Sequence, residues 1–310
     1  MPAQQYEFIS DRHCPNCQNQ GEARTAIRAE LPAEALSAEE IGKRWRGFYP
    51  VSCFFTYRRC LHCGQMYASR YLSPRALDSL YGSMSDNIHS GDAASTVATQ
   101  ADYVKMITRL AQNGGRYLEI GPDTGILTRE IARHFRVDAA FLVEPNRESW
   151  PQLRQCFEPG VAHIAPDISA FDETIEDGSL NLVVGVHVLD HLLEPAKMLA
   201  WIQRKLAPGG VVAIVVHNER SLLARVLGRR WPGFCLQHPE LFNPTTLSGI
   251  LQRNGFLPRQ VLRTANYFPL GYLISHGLLA VLKIKIGLEF LRLPVRLKLG
   301  NIMAIASKES

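Results

Sequence analysis

The sequence contains no apolar run of the ~20 residues a membrane helix needs. Its N-terminus, MPAQQYEFIS, lacks the basic start and apolar stretch of a secretory signal. It has no internal repeat and no low-complexity segment, which excludes solenoids and disordered scaffolds. Charge of one sign is scarce too. The formal net charge is +5 over 310 residues, which suits an anionic small substrate or a membrane surface but not nucleic acid without a concentrated patch. Cysteine is sparse at seven residues, and four of these fall in two CxxC pairs. That pattern points to a metal in a reducing, cytoplasmic compartment rather than to disulfides. What is present, 46% hydrophobic and 20% charged residues, is an ordinary globular composition.

The chain divides into three parts. Residues 1–75 carry the CxxC pairs and many aromatics. Residues 76–102 read as a linker or lid, because Gly82 to Thr99 is polar and rich in small residues. From 103 to 310, short apolar strands alternate with amphipathic helices. The strand candidates are Arg116–Ile120, Ala139–Glu144, Val161–Ile164, Leu180–Val186, Val211–Val216, Arg259–Thr264 and Ile302–Ser307. Helices are expected over Ile126–Phe135, Arg147–Cys156 and Pro195–Leu206. Buried β-branched runs separated by helices predict an α/β fold: a Rossmann-like, seven-stranded, mostly parallel sheet covered on both faces. A helical insert is expected at 265–300, before the last strand.

Cys14-Pro-Asn-Cys17 and Cys60-Leu-His-Cys63 form two knuckles 42 residues apart. Each CxxC turn aims two thiolates at one ion, and two turns complete a closed tetrahedral set. The expectation is a zinc ribbon whose Zn2+ is structural and contributes to folding a core-poor segment.

Glu119-Ile120-Gly121-Pro122-Asp123-Thr124-Gly125 ends a strand and opens a helix. Glu144-Pro145 ends the next strand, Asp167-Ile168 follows the third, and Leu206-Ala207-Pro208-Gly209-Gly210 precedes the fifth. In this order and spacing the motifs resemble those of the class I S-adenosylmethionine-dependent methyltransferases. The resemblance implies that Glu119, Gly121, Asp123 and Gly125 surround the methionine end of the cofactor. It also implies that Glu144 accepts the ribose hydroxyls and that Asp167 and Ile168 meet the adenine. Asp123 departs from the family, where glycine is usual.

After the fourth strand comes Val186-His187-Val188-Leu189-Asp190-His191, similar to a segment that this superfamily places beside the transferred methyl group. His191 is the candidate base, with His187 and His238 as further catalytic candidates and His187 also near the cofactor. His187, Asp190 and His191 share the i, i+3, i+4 spacing of a metal set found in some relatives, so a second divalent ion is a further expectation, with His217 or His238 supplying another ligand. Together with the ribbon, these motifs resemble the N-terminal portion of sugar C-methyltransferases over about residues 10–260.

The function expected is methyl transfer to a small-molecule, sugar or lipid-linked acceptor, at oxygen with carbon as an alternative, in secondary-metabolite or surface-polysaccharide biosynthesis. An RNA-modifying enzyme and a non-catalytic nucleoside-binding protein are the alternatives. Nucleic acid is a poor partner for this charge distribution. Residues 270–298 combine apolar and basic residues and suggest peripheral contact with the inner face of a membrane, a lid over the substrate, or a dimer contact. Oligomeric state is not legible.

Overall fold

The computed structural model describes residues 5–45, 53–82, 93–111, 114–275, 288 and 290–308. At the N-terminus, β1 (Phe8–Ile9), β2 (Ala23–Ile27), β3 (Tyr57–Cys60), β4 (Met66–Ala68) and β5 (Tyr71–Leu72) are short strands, accompanied by α1 (Ala38–Trp45) and α2 (Pro74–Gly82). β2, β3 and β4 form an antiparallel meander, and β1 pairs with β5. The first cysteine turn leads from β1 to β2, and the second joins β3 to β4. Gly64, at φ +79°, donates its N–H to the Cys60 carbonyl at 3.0 Å and closes the second knuckle in a conformation a side chain would strain.

α3 (Ala93–Thr108) leads into β6 (Gly114–Ile120), α4 (Ile126–His134), β7 (Arg136–Val143), α5 (Trp150–Arg154), β8 (Ala162–Ala165) and β9 (Leu180–Val186). α6 (Pro195–Lys205), β10 (Leu206–His217), α7 (Leu222–Leu227), β11 (Glu240–Leu241), α8 (Pro244–Arg253) and β12 (Phe256–Arg263) follow. The chain then forms β13 (Asn266–Pro269), β14 (Pro294–Leu297) and β15 (Asn301–Lys308). Residues 93–99, which the sequence placed in a linker, thus belong to a helix that packs Tyr103, Val104 and Ile107 against the sheet.

Seven strands make the main sheet in the order β12-β15-β10-β9-β6-β7-β8. The sheet is mixed, not mostly parallel as the sequence suggested. β15 runs antiparallel to both of its neighbours, β10 and β12. Tyr103 and Ile107 of α3, Leu127 and Ile131 of α4, and Leu153 of α5 cover one face. Leu199 and Ile202 of α6 and Leu247, Ile250 and Leu251 of α8 cover the other. Burial on both faces is why the central strands read as unbroken apolar runs.

The insert combines two elements. Its described ends pair as an antiparallel ribbon, Asn266–Pro269 against Pro294–Leu297, and residues 270–275 are helical, as expected of the insert. Residues 276–287 and 289, which hold Lys283, Lys285 and the end of the apolar run, lie outside the described residues. Among the described residues no helix is long and apolar enough to cross a membrane.

The strand order reverses between β6 and β9, so the chain leaves neighbouring strands in opposite directions there. Register aligns the carboxyl ends: Ile120 lies opposite both Val143 and Gly185, Val143 opposite Ala165, and Val186 opposite Val215. Gly121, Glu144, Asp167, His187 and His217 therefore emerge along one edge.

Candidate active site

At that edge Gly121 takes φ +71°, and a Cβ placed on it would lie 2.9 Å from Cγ2 of Val188. The turn leaving β6 thus presses directly on the turn leaving β9, and only a residue without a side chain fits between them. Gly125, at φ +77°, meets Leu153 and Cys156 in the same way and lets α4 start close to the sheet edge. Asp123 occupies the left-handed region at φ 52°, where glycine is usual and Asp is among the tolerated residues. Its N–H donates to Glu144 Oε2 at 2.9 Å.

Two buried carboxylates face this crevice. Glu119 Oε2 accepts from Tyr117 Oη at 2.6 Å and from Thr128 Oγ1 at 2.7 Å. Burial nevertheless pushes Glu119 up to about 7, and Glu144 adds to the rise while the two hydroxyls oppose it. A cation is what such a group lacks, so it suits the ammonium of an amino acid moiety. Glu144 is fixed by the backbone N–H groups of Asp123 and Asn146 (2.9 and 2.8 Å), one on each oxygen. Each oxygen keeps acceptor capacity for a diol. Asp167 is exposed at the start of a short helical turn and accepts from the Ser169 N–H at 2.9 Å and from its hydroxyl, while Ile168 packs against the core beside it. A glycine cradle, a buried acid seeking a cation and a held carboxylate together fit S-adenosylmethionine.

The turn after β9 holds the second group. His187 sits at φ 54°, an uncommon conformation for a non-glycine residue and one found where a site over-determines the backbone. Its Nε2 accepts from Asn301 Nδ2 at 3.2 Å, and Asn301 in turn meets Tyr103 and Asn266. Asp190 is fully buried and its Oδ2 accepts from both the backbone N–H and Nδ1–H of His217, at 3.1 and 2.7 Å. Burial opposes ionisation of Asp190, but the His217 hydrogen bond and the surrounding imidazoles outweigh it and hold the carboxyl well below its usual range. His187 is held well below the usual histidine range by burial and by His217.

His191 turns away from this set. Its Nδ1 is 3.2 Å from Tyr81 Oη and its Nε2 is 3.1 Å from His238 Nε2. His238 Nδ1 donates to the Gly233 carbonyl at 2.8 Å, beside Cys235. Donor and acceptor matching fixes the neutral row: Tyr81 donates to His191 Nδ1, His191 Nε2–H donates to His238, and His238 Nδ1–H donates to Gly233. Burial, aided by His238, lowers His191 to about 3. Burial also disfavours charge on His238, yet Cys235, Asp190 and the Gly233 carbonyl outweigh it and lift His238 to about 9. An added proton therefore settles on His238.

The sequence grouped His187, Asp190 and His191 as one metal set. The structure breaks that set. Ligand atoms of His187, Asp190 and His217 lie within 4.8 Å of one another, whereas His191 belongs to the row with Tyr81 and His238. The reason is backbone geometry: residues Leu189–His191 form a 3-10 turn, which points Asp190 and His191 in different directions.

The ribbon supports this loop. Ligand atoms of Cys14, Cys17, Cys60 and Cys63 fall within 4.8 Å of one another, with Cys14–Cys63 Sγ atoms 3.4 Å apart and Cys17–Cys60 3.7 Å apart. Those spacings approach the edge of a tetrahedron around zinc, about 3.8 Å for bonds of about 2.3 Å. The hydrogen bond with Cys14 draws the Cys63 thiol down to about 5, the thiolate character a zinc ligand needs. The four cysteines could hold zinc in a closed site. β4 of the ribbon pairs with β11, Tyr67 opposite Glu240 and Met66 opposite Leu241. Tyr57 Oη donates to the His238 carbonyl at 2.6 Å, and Tyr71 Oη to the Leu236 carbonyl at 2.5 Å. The loop carrying His238 is thus pinned from the N-terminal side.

Tyr81, Arg12 and Asn301 were missed by sequence reasoning. None lies in a motif, and each reaches the site through a contact more than 100 positions away.

A family model described as a methyltransferase domain matches residues 97–261. The ubiquinone biosynthesis O-methyltransferase of Ralstonia nicotianae is 28% identical over 191 residues, covering 56% of this chain and 76% of that protein. Among solved structures, a chain from the complex between the Haloferax volcanii Trm112 methyltransferase activator and a methyltransferase superposes with a TM-score of 0.52 at 13% identity, covering 71% of this chain and 95% of that one. An S-adenosylmethionine-dependent methyltransferase from Mesorhizobium loti gives a TM-score of 0.46 at 14% identity over 68% of this chain and 99% of that one. With its α/β sheet and the Gly121 crevice at the switch point, the chain belongs to the methyltransferase-domain family and is an S-adenosylmethionine-dependent methyltransferase.

Proposed function

We propose that the protein transfers a methyl group to an oxygen of a small-molecule or glycan acceptor, and that Tyr81, His191 and His238 take up the acceptor's proton. The observation that carries this is the hydrogen-bonded row from Tyr81 Oη through His191 to His238, standing one turn from the Val188 contact with Gly121. The cofactor, when bound, supplies an electrophilic methyl on a sulfonium. Glu119 holds its ammonium, Glu144 its ribose, and Asp167 with Ile168 its base.

A hydroxyl acceptor becomes a competent nucleophile when its proton has somewhere to go. With His238 neutral, the form that prevails above about pH 9, a proton delivered at the Tyr81–His191 end is stored at His238. In that state His238 donates from both nitrogens, His191 carries its proton on Nδ1, and Tyr81 accepts. One proton thus crosses the row by tautomer exchange without a charge resting on His191. Oxygen as the acceptor atom agrees with the O-methyltransferase relative. A glycan acceptor rests only on the resemblance of the ribbon and the Glu119–Gly125, Glu144-Pro145 and His187–His191 motifs to those of sugar C-methyltransferases.

The ribbon's arginines argue against nucleic acid. Arg58 donates to the Ala23 carbonyl at 2.6 Å, Arg59 grips both oxygens of Glu219 at 3.0 Å, and Arg70 meets Glu34 at 3.4 Å. They are engaged within the protein rather than arrayed for phosphates.

Calorimetry with S-adenosylmethionine, then turnover of a metabolite pool with isotope-labelled cofactor, tests the reading. His191→Ala and His238→Ala should each lose about 10²–10⁴ in turnover while binding the cofactor as wild type does. Full activity in both variants would remove the row from the mechanism, and failure of wild type to bind the cofactor would overturn the whole assignment.

A further inference from the structure

His187, Asp190 and His217 remain outside that row, and three features mark them as a group. They arrive from the end of β9, the turn after it and the end of β10, so the sheet itself sets their spacing. One ligand atom of each lies within 4.8 Å of the other two. Two of their polar atoms, Nδ1 of His187 and Oδ1 of Asp190, are buried with no hydrogen-bond partner. Leaving a buried polar atom unpaired is destabilising, and more so for a carboxylate. Two such atoms within one three-residue group invite a shared partner.

We propose that His187, Asp190 and His217 bind a divalent transition-metal ion, distinct from the ion of the four cysteines. Two imidazoles and one carboxylate are the donor set that zinc, iron and manganese share in sites with open positions. Three donors bound at about 2.1 Å stand about 3.4 Å apart in a tetrahedral arrangement. With its atoms within 4.8 Å of one another, the group needs to close by at most about 1.4 Å. The outer nitrogen of His187 is already held by Asn301, whose amide presents either its NH2 or its oxygen by a half-turn. With the Asn301 oxygen turned inward, and the Asn266 amide turned with it so that its NH2 faces that oxygen, His187 donates Nε2–H to Asn301 and frees Nδ1 for the ion, the usual outer support of a metal-bound histidine. An ion with an open position here would bind the acceptor's oxygen and lower its pKa beside the proposed proton row. The ligand set thus rests on, and refines, the methyltransferase reading.

The test counts metal on the full chain. Purified protein is dialysed to equilibrium against Zn2+ and, separately, Co2+, and metal per chain is measured by elemental analysis. Two ions per wild-type chain are expected, falling to one in Asp190→Asn and in His217→Gln. With Co2+, the intense thiolate charge-transfer bands of the cysteine site should persist in both variants, which reports that they are folded, while the weaker d–d bands of the second site disappear. One ion per wild-type chain at saturation overturns the proposal and leaves Asp190–His217 as a metal-free pair, whatever the variants do. Two ions in both variants also overturn it. Cofactor binding measured on the same wild-type sample separates this failure from failure of the methyltransferase reading.

Discussion

Arg12 and Glu240, 228 positions apart in the chain, form an ion pair of 2.5 Å with the arginine 7% exposed and the glutamate fully buried. The same guanidinium donates to the carbonyls of Ala68 and Leu193, at 2.9 and 3.0 Å. One side chain of the ribbon thereby joins β4, the segment just past His191, and the strand just past His238. Removing one member of a buried pair costs about 3–5 kcal/mol. Arg12→Met should lower the thermal midpoint by many degrees and reduce turnover. Arg12→Lys should restore only part of either, because an ammonium does not match the planar fork of a guanidinium. Scanning calorimetry and steady-state rates on both variants check this.

Tyr57→Phe removes the donor to the His238 carbonyl and little else. Leaving that carbonyl buried and unpaired should cost about 1–3 kcal/mol in stability. If the hydrogen bond also positions His238, kcat falls while cofactor affinity holds. A loss of stability with kcat unchanged would limit Tyr57 to a structural role.

Stripping metal from the cysteines, by chelation or by Cys60→Ser, should loosen the ribbon and with it β11, since both join through β4. The expected outcome is loss of methyl transfer with cofactor binding retained, because Gly121, Glu119 and Glu144 belong to the large sheet. Parallel loss of cofactor affinity would show that the two halves do not melt separately.

Glu119 gives a pH dependence with a defined sign. Its folded-state value is raised to about 7 from the ordinary 4.5 by burial. Its contribution to stability is therefore complete below about 4.5 and is lost as pH rises through 7. Cofactor affinity should move the opposite way, because an ammonium prefers the ionised acid. An increase of about tenfold between pH 6 and pH 8 follows from one proton released at a group of that pKa. Glu119→Gln should bind more weakly and flatten this profile. Calorimetric titrations across that range decide it.

Gly121→Ala should damage cofactor binding more than its single methyl suggests. The new Cβ meets Val188 at 2.9 Å in a backbone conformation that disfavours side chains. A strain of about 1–3 kcal/mol is the expected order, visible as reduced stability and weaker cofactor affinity together. An unperturbed variant would mean that the turn is looser than this packing implies.

The strands of the large sheet were legible because each is locally apolar and bounded by turns. Leu180–Val186, for example, forms a strand over the residues read from sequence. The antiparallel placement of β15 was not legible, since strand direction is decided by connections the pattern does not encode. At the site, His187, His191 and His238 were nameable from their motif neighbours, but their partners were not. Whether His191 faces Asp190 or Tyr81 depends on a 3-10 turn of three residues, Leu189–His191. Tyr81 itself lies in α2, 110 positions from the nitrogen it touches.

The pairing of β4 with β11 also orders events during synthesis. The first cysteine knuckle leaves the ribosome early, yet the strand that completes its sheet is made more than 170 residues later, Tyr67 being matched with Glu240. Until then, the outer edge of β4 is an open template for any extended chain nearby. Contacts of such long sequence separation form slowly, and partly assembled sheets are prone to aggregate. Metal uptake at the cysteines would keep the waiting edge short and rigid. Expression in metal-poor medium should therefore shift the newly made chain from the supernatant to the pellet, even though the chemistry resides elsewhere.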